Sequence, residues 1–503
     1  MELPRNYNAA VDLVERNLTA GRGAKAAYID DQGTTTYAQL AERVDRAANA
    51  LRGLGLKREQ RIAIAMLDSA DWAALFLGAI KAGIVPVALN TLLTPADYEY
   101  QLNDSRARAL FFSSALQKSF EGVQAKCPHL KYVVSDAQLK DVLATADPKA
   151  EAAPTLRDEM CFWLYSSGST GAPKGTVHLH SHLITTADLY AKPVLGIRES
   201  DLVFSAAKLF FAYGLGNSLT FPLAVGATTI LMAERPTPDA VFKRLLQRPT
   251  IFYGVPTLYA AMLASPNFPK KEQLALRTCT SAGEALPPEI LKRFTERTGA
   301  ELLDGIGSTE MLHIFLSNRP RDVRPGTTGK PVPGYELRLV DDQGNVVTKP
   351  GELGELQISG PTSAIMYWNQ REKTKNTFQG PWTRSGDKYS IDQDGYYVYG
   401  GRSDDMLKVG GIYVSPAEVE AALVSHEAVL EAAVVGAEDE SRLTKPKAYV
   451  VLKPGNTANE ELKERLQQHV KAKLAPYKYP RWIQFLNELP KTATGKIQRF
   501  KLR

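Results

Sequence analysis

Cysteine is almost missing from this chain: three in 503 residues, at Cys127, Cys161 and Cys279, with no Cys-x-x-Cys spacing. That excludes a disulfide framework and a thiolate zinc site, and it points to a reducing compartment. Long hydrophobic runs are missing too. The most apolar stretch, Ala73 to Leu89, is interrupted by Lys81, Gly83 and Pro86 and is too short to span a bilayer. The first residues, Met1-Glu2-Leu3-Pro4-Arg5-Asn6, hold no apolar signal core. A cytoplasmic protein with no membrane partner is therefore expected. Charge of one sign is not in large excess: 61 basic against 55 acidic residues, a formal net charge of +6. No basic patch interleaved with aromatics stands out, so a nucleic-acid partner is not expected. Fixed-period repeats and low-complexity tracts are also absent.

What is present is an ordinary globular composition, 44% hydrophobic and 23% charged, on a chain too long for one core. Leu40, Val44, Ala47, Ala48 and Leu51 recur at helical spacing, Arg61 to Met66 reads as a strand, Trp72 to Lys81 as a helix and Val85 to Ala88 as a strand. Similar units recur from Leu110 to Val134, Thr228 to Met232 and Ile251 to Val255. Strands alternating with helices predict an α/β body of mostly parallel sheets flanked by helices. A second pattern begins after Gly400-Gly401-Arg402-Ser403-Asp404-Asp405. There Ser415-Pro416-Ala417-Glu418 opens a helix, with an N-cap serine and proline at the first helical position. Strands at Ala432–Val435 and Ala448–Leu452 follow, then a helix carrying Leu462, Leu466, Val470 and Leu474. The expected organisation is a body over 1–402 and a small, mobile α+β lid over 403–503.

The chain is organised around Tyr165-Ser166-Ser167-Gly168-Ser169-Thr170-Gly171-Ala172-Pro173-Lys174-Gly175, which the apolar strand Cys161-Phe162-Trp163-Leu164 enters directly. Glycines let the backbone turn with its N–H groups outward, hydroxyls add donors, and lysine adds a mobile cation: a cradle for a polyphosphate. It is not a Walker A loop, because Lys174 precedes glycine and the glycine spacing differs. Further clusters follow at Ser281–Leu286, Asp304–Glu310, Ser385–Asp387, Gly401-Arg402 and Pro490–Lys496. In an open α/β sheet, loops at the carboxyl ends of strands form the ligand crevice. His178, His180 and His182 alternate, which predicts one face of a strand. No acid or cysteine cluster accompanies them, so they are not taken as a metal site.

This set, in this order, resembles the AMP-forming acyl-CoA synthetases, an adenylating superfamily, over essentially the whole chain. Tyr165 to Lys174, Val177-His178-Leu179-His180 and Gly305 to Phe315 are similar to its benzoate-CoA ligase branch. The resemblance implies a carboxylate attacking the α-phosphorus of MgATP to give an acyl adenylate, which coenzyme A thiol then converts to a thioester. It implies that Ser166, Ser167, Gly168, Ser169, Thr170, Gly171 and Lys174 hold the β- and γ-phosphates. Thr170 and Glu310 would lie around Mg2+, a hard cation that takes oxygen ligands. Thr309 would donate to the α-phosphate, and Asp387, beside Arg402, would accept from the ribose hydroxyls. Gly283, Glu284, Asp304, Gly305 and Ile306 would line the adenine pocket, where many relatives have an aromatic in place of Ile306.

Lys496 would bridge the acyl carboxylate and the α-phosphate. Asp404 would be the lid hinge, and Gly410 and Gly411 part of the coenzyme A tunnel. Ala212, Tyr213, Gly307, His313 and Ile314 would wall the acyl pocket, although His313 reads equally as a packed core histidine. Phe211-Ala212-Tyr213-Gly214 is aromatic and small together, which suits a flat, short ring substrate such as benzoate. The sequence leaves open another ring carboxylate such as 4-hydroxybenzoate, aryl transfer to a carrier-protein phosphopantetheine, and a non-catalytic nucleotide binder. A homodimer and a lysine acetyltransferase acting on Lys496 complete the expected partners.

Overall fold

The computed structural model of the chain describes residues 3–166, 172–403, 405–409, 412–440, 443–491 and 497–502. Ser167, Gly168, Ser169, Thr170, Gly171, Asp404, Gly410, Gly411 and Lys496 lie outside the described residues.

Three sheets build the large domain. In the first, Met160–Ser166, Val85–Ala88, Arg61–Ala65, Ala109–Phe112 and Tyr132–Ser135 run parallel in that spatial order. Lys174–Leu179 and then Met366–Tyr367 are added antiparallel at one edge. Val85–Ala88 and Ala109–Phe112 are buried at every position, as expected of strands covered on both faces. Helix Ala70–Lys81 starts where the Ser69 hydroxyl accepts from the amide of Trp72, and every residue of it except Asp71 is buried. Beside it, helix Tyr37–Gly53 is opened by a Thr36/Gln39 capping box and buries the expected stripe of Leu40, Val44, Ala47, Ala48 and Leu51.

The second sheet has nine strands. Glu301–Gly307, Thr278–Ser281, Ile251–Gly254, Leu202–Ser205, Thr228–Ile230 and Ala26–Asp30 form its parallel centre. The third, built around Trp382–Ile391, is antiparallel throughout.

A smaller C-terminal domain follows. Val429–Glu438 pairs antiparallel with Thr444–Leu452, which pairs parallel with Trp482–Phe485. Helices Pro416–Val424 and Glu460–Lys473 cover this sheet and bury Val419, Leu423, Leu466 and Val470 against Val434 and Val450. Each such side chain contributes about 1.5–3 kcal/mol of burial energy, which suffices for a separate core. Ser415 caps its helix as expected, accepting from the amide of Glu418 at 3.2 Å.

Two expectations need correction. The three histidines do not share a strand face: the strand ends at Leu179, and His180 and His182 belong to helix His180–Thr186. And Asp304 to Gly307 is not a loop but the end of a strand, which turns back antiparallel into Ile314–Ser317. Cys127, Cys161 and Cys279 are buried free thiols. Among the described residues, no helix is long and apolar enough to cross a membrane.

Candidate active site

The first wall is the ladder in which Ser166 pairs with Lys174, on either side of the stretch that the sequence marks as the phosphate cradle. Ser166 is buried, and the Thr176 hydroxyl reaches its Oγ at 3.5 Å. The residues flanking that stretch, Tyr165 and Pro173, are held by helix Pro95–Ser105. The Tyr165 hydroxyl donates to Asp104 Oδ2 at 2.7 Å, and the Tyr100 hydroxyl donates to the Pro173 carbonyl at 3.1 Å. Burial raises the Asp104 carboxyl above its ordinary range, opposed by the bond from Tyr165. Neither support carries a local sequence signal, because each lies more than sixty positions from its partner.

The second wall is strand Glu301–Gly307 with the turn that follows it. Asp304 is buried, and its Oδ1 has no hydrogen-bond partner among the described residues. Desolvation pushes this carboxyl well above the usual carboxylate range. An unpartnered buried acceptor is costly unless a ligand donor meets it, and the exocyclic amine of a nucleobase fits that need. Ile306 next to it is only half-buried. Gly283, in the left-handed region at φ 95°, turns the chain after strand Thr278–Ser281. Beyond it, Glu284 Oε1 accepts from the amide of Ile497 at 3.1 Å, so the tail of the small domain meets the body here.

Thr309 and Glu310 sit in the turn between the two antiparallel strands. The Met311 amide donates to Ser308 Oγ at 3.1 Å, the Ala364 amide donates to the Glu310 carbonyl at 2.7 Å, and His178 Nε2 lies 2.8 Å from the Thr309 carbonyl. A carbonyl only accepts, so His178 Nε2 carries the proton. Its Nδ1 faces His182 Nδ1 at 3.0 Å. Burial lowers His178 to about 4 and opposes a second proton. The buried histidine pair is thus a structural brace for Thr309.

Asp387 and Arg402 are cross-strand partners with Arg402 Nη1 3.6 Å from Asp387 Oδ1, and the Asp387 amide donates to Ser385 Oγ at 3.0 Å. Asp387 is 9% exposed, so the pair is more than a fully solvated surface contact.

The proposed acyl-pocket residues come together. Ala212 and Tyr213 begin the short helix Ala212–Leu215, and the Tyr213 hydroxyl lies 2.5 Å from Thr280 Oγ1. His313 is 3% exposed and boxed by the rings of Tyr190, Tyr213 and Phe221, with centroids 5.5, 5.6 and 4.5 Å away. Its Nε2 donates to Asn217 Oδ1 at 3.2 Å, which leaves Nδ1 as a bare acceptor with no partner among the described residues. Burial lowers His313 to about 3, so the ring is neutral at any working pH. Ile314 is buried at the start of the return strand. Tyr190, Asn217 and Thr280 join this box without any motif to mark them.

Gly307 leaves no room for a side chain. A Cβ there would lie 2.6 Å from both the backbone carbon and the oxygen of His313. Replacement by alanine must displace backbone, so Gly307→Ala is expected to cost about 1–3 kcal/mol of stability. It should also lower ring-carboxylate turnover more than ATP binding, as checked by thermal denaturation and by ATP titration without acid.

Residues 14–368 match the AMP-binding enzyme family, and residues 418–496 match the AMP-binding enzyme C-terminal domain. The chain is 64% identical to a benzoate–CoA ligase of Thauera aromatica over 100% of its length and 97% of that protein. It is 50% identical to a 4-hydroxybenzoate–CoA/benzoate–CoA ligase of Rhodopseudomonas palustris, covering 99% of this chain and 94% of that one. A benzoate CoA ligase structure from Burkholderia xenovorans superposes with a TM-score of 0.94 at 58% identity, covering 99% of this chain and 100% of that one. Matched by both family models and by full-length relatives, the chain belongs to the AMP-binding enzyme family.

Proposed function

We propose that this chain is an ATP-dependent aryl-CoA ligase that converts benzoate, ATP and coenzyme A to benzoyl-CoA, AMP and pyrophosphate. Full-length similarity to benzoate–CoA ligases at 64% identity carries the reading. The closed aromatic box around His313 is consistent with a short ring substrate, and a long alkyl chain would meet its buried rings. Aryl transfer to a carrier protein and bare nucleotide binding are not favoured by these relatives.

In the first step a benzoate oxygen bonds to the α-phosphorus of ATP and pyrophosphate leaves. In the second the coenzyme A sulfur bonds to the acyl carbon, its proton goes to solvent, and AMP leaves. Two anions must meet in the first step, so this chain's contribution is positioning and charge neutralisation. We assign Ser166, the turn after it and Lys174 to the phosphates, and Thr309, braced by His178, to the α-phosphate. Asp304 would accept from the adenine amine, and Asp387 from the ribose. Tyr213, His313, Ile314, Ala212 and Gly307 would enclose the ring. The Glu310 carboxylate, an oxygen donor beside Lys174, fits a hard divalent cation, with Thr170 as its assigned partner. Bound there, Mg2+ would neutralise phosphate charge.

The boundary near residue 402, a hinge at Asp404 and a lid whose Gly410-Gly411 hairpin reaches the thiol belong to the same reading. So does an acetyltransferase target at Lys496, since acetylation removes the charge. Benzoate-dependent ATP–pyrophosphate exchange and AMP release are the test. Benzoate should give the highest kcat/KM in a ring-carboxylate panel, with substituted rings within about 10–200-fold. Free coenzyme A should be the acceptor in preference to a holo carrier protein. Stoichiometric ADP, or no thioester with any ring acid, would reject the assignment.

A further inference from the structure

Between the two walls runs a strap, residues 362–368, that touches both. The Thr362 hydroxyl donates to the Met311 carbonyl at 2.8 Å, and the Ala364 amide to the Glu310 carbonyl at 2.7 Å. The Ile365 amide then donates to Val177 O at 3.1 Å, and the Trp368 amide to Gly175 O at 2.8 Å. One short segment therefore locks the Glu310 turn to the strand that begins at Lys174. Tyr367, near its end, is 3% exposed. Its hydroxyl donates to Glu310 Oε1 at 2.6 Å, and the Lys174 ammonium sits over its ring, 4.2 Å from the centroid.

This is an unusual use of a tyrosine, one end on a carboxylate and the face under a cation. Glu310 is close enough that its charge favours the ammonium form of Lys174 against burial. Yet no ion pair within 4.0 Å joins the two among the described residues. Left alone in a partly desolvated cleft, opposite charges at this range would be drawn together. Collapsed onto each other, the carboxylate would lose its place at the cation and the ammonium its place at a phosphate.

We propose that Tyr367 is a positioning residue that holds Glu310 and Lys174 apart and aimed into the cleft, so that the metal–nucleotide complex meets preorganised groups. The hydroxyl fills one lone pair of Oε1 and leaves Oε2 for the cation. The ring offers the ammonium a resting place that a phosphate oxygen readily outcompetes. The inference rests on the assignment of Glu310 and Lys174 to metal and phosphate.

Tyr367→Phe removes only the hydroxyl, and Tyr367→Leu removes the ring as well. Calorimetric titration with ATP, once with Mg2+ and once with EDTA, both without benzoate, reads binding apart from turnover. Tyr367→Phe should weaken MgATP binding by about 10–100-fold, the loss of one hydrogen bond to a charged group, and leave metal-free ATP binding unchanged. Tyr367→Leu should weaken both. Thioester formation from preformed benzoyl adenylate should stay near wild type in Tyr367→Phe.

Unchanged MgATP affinity in Tyr367→Phe would overturn the proposal. So would equal losses with and without Mg2+, which mark a merely structural side chain. Should Tyr367→Leu fail to fold, the phenylalanine variant still decides. Wild-type benzoate-dependent AMP release alongside a normal Tyr367→Phe would sink this inference and leave the ligase reading intact. Absence of that release in wild type would sink the ligase reading instead.

Discussion

Lys496→Ala should lower benzoyl-adenylate formation by at least about 10²–10³-fold, the usual cost of one preorganised group at a developing anion. It should leave thioester formation from preformed adenylate within a few-fold of wild type. The side chain is the one cation that the resemblance brings to the approaching carboxylate and α-phosphate, whose mutual repulsion is the obstacle in the first step. Lys496 lies outside the described residues, but its neighbour Ile497 is placed, its amide bonded to Glu284 in the turn after strand Thr278–Ser281. The base of this tail segment is closed by an antiparallel bridge between Lys491 and Ile497 and by the bond from the Gln498 amide to Pro490 O at 2.8 Å. Arg499, 2.7 Å from Glu420 and 4.0 Å from Asp405, ties the segment to the small domain. The two half-reactions are measured separately, by pyrophosphate exchange and by coenzyme A consumption. Equal damage to both would remove Lys496 from the first step.

Glu284→Ala should have the next largest effect. Its carboxylate accepts from the Ile497 amide across the interface between the two domains. A hydrogen bond to a charged group is worth about 1.5–3 kcal/mol, so adenylation kcat/KM should fall by about 10–100-fold. Glu284→Gln keeps an acceptor in the same place and should recover most of the loss. Transfer from preformed adenylate should be nearly unaffected if the proposed lid turns away from this contact for the second step. A Glu284→Gln protein as impaired as the alanine variant would instead tie the residue to nucleotide charge. Salt separates the same alternatives, because a part-buried hydrogen bond to a backbone amide is screened less than an exposed charge pair.

Much of the architecture was legible before any coordinates. Apolar runs such as Val85–Ala88 and the stripe on Tyr37–Gly53 report burial by periodicity alone, and Ser415 announces its helix by cap chemistry. The histidine alternation misled for a physical reason. Period two predicts a strand face only while the strand lasts, and here a helix starts at His180. Asp304 to Gly307 misled through its glycines, which served the close strand pairing around Gly307 rather than a free loop.

Periodicity alone determined the α/β class, and the order of motifs, through the family they resemble, led to the adenylating chemistry. Glycine, hydroxyl and lysine in one short stretch constrain the local backbone and charge whatever surrounds them. Only the tertiary structure decided what steadies those groups: Tyr367 between Lys174 and Glu310, His178 under Thr309, Asn217 on His313, Glu284 on Ile497. Most of these partners lie dozens to hundreds of positions apart. Hydrophobic periodicity and capping act over a few residues, so long-range contacts of this kind leave no local pattern to read.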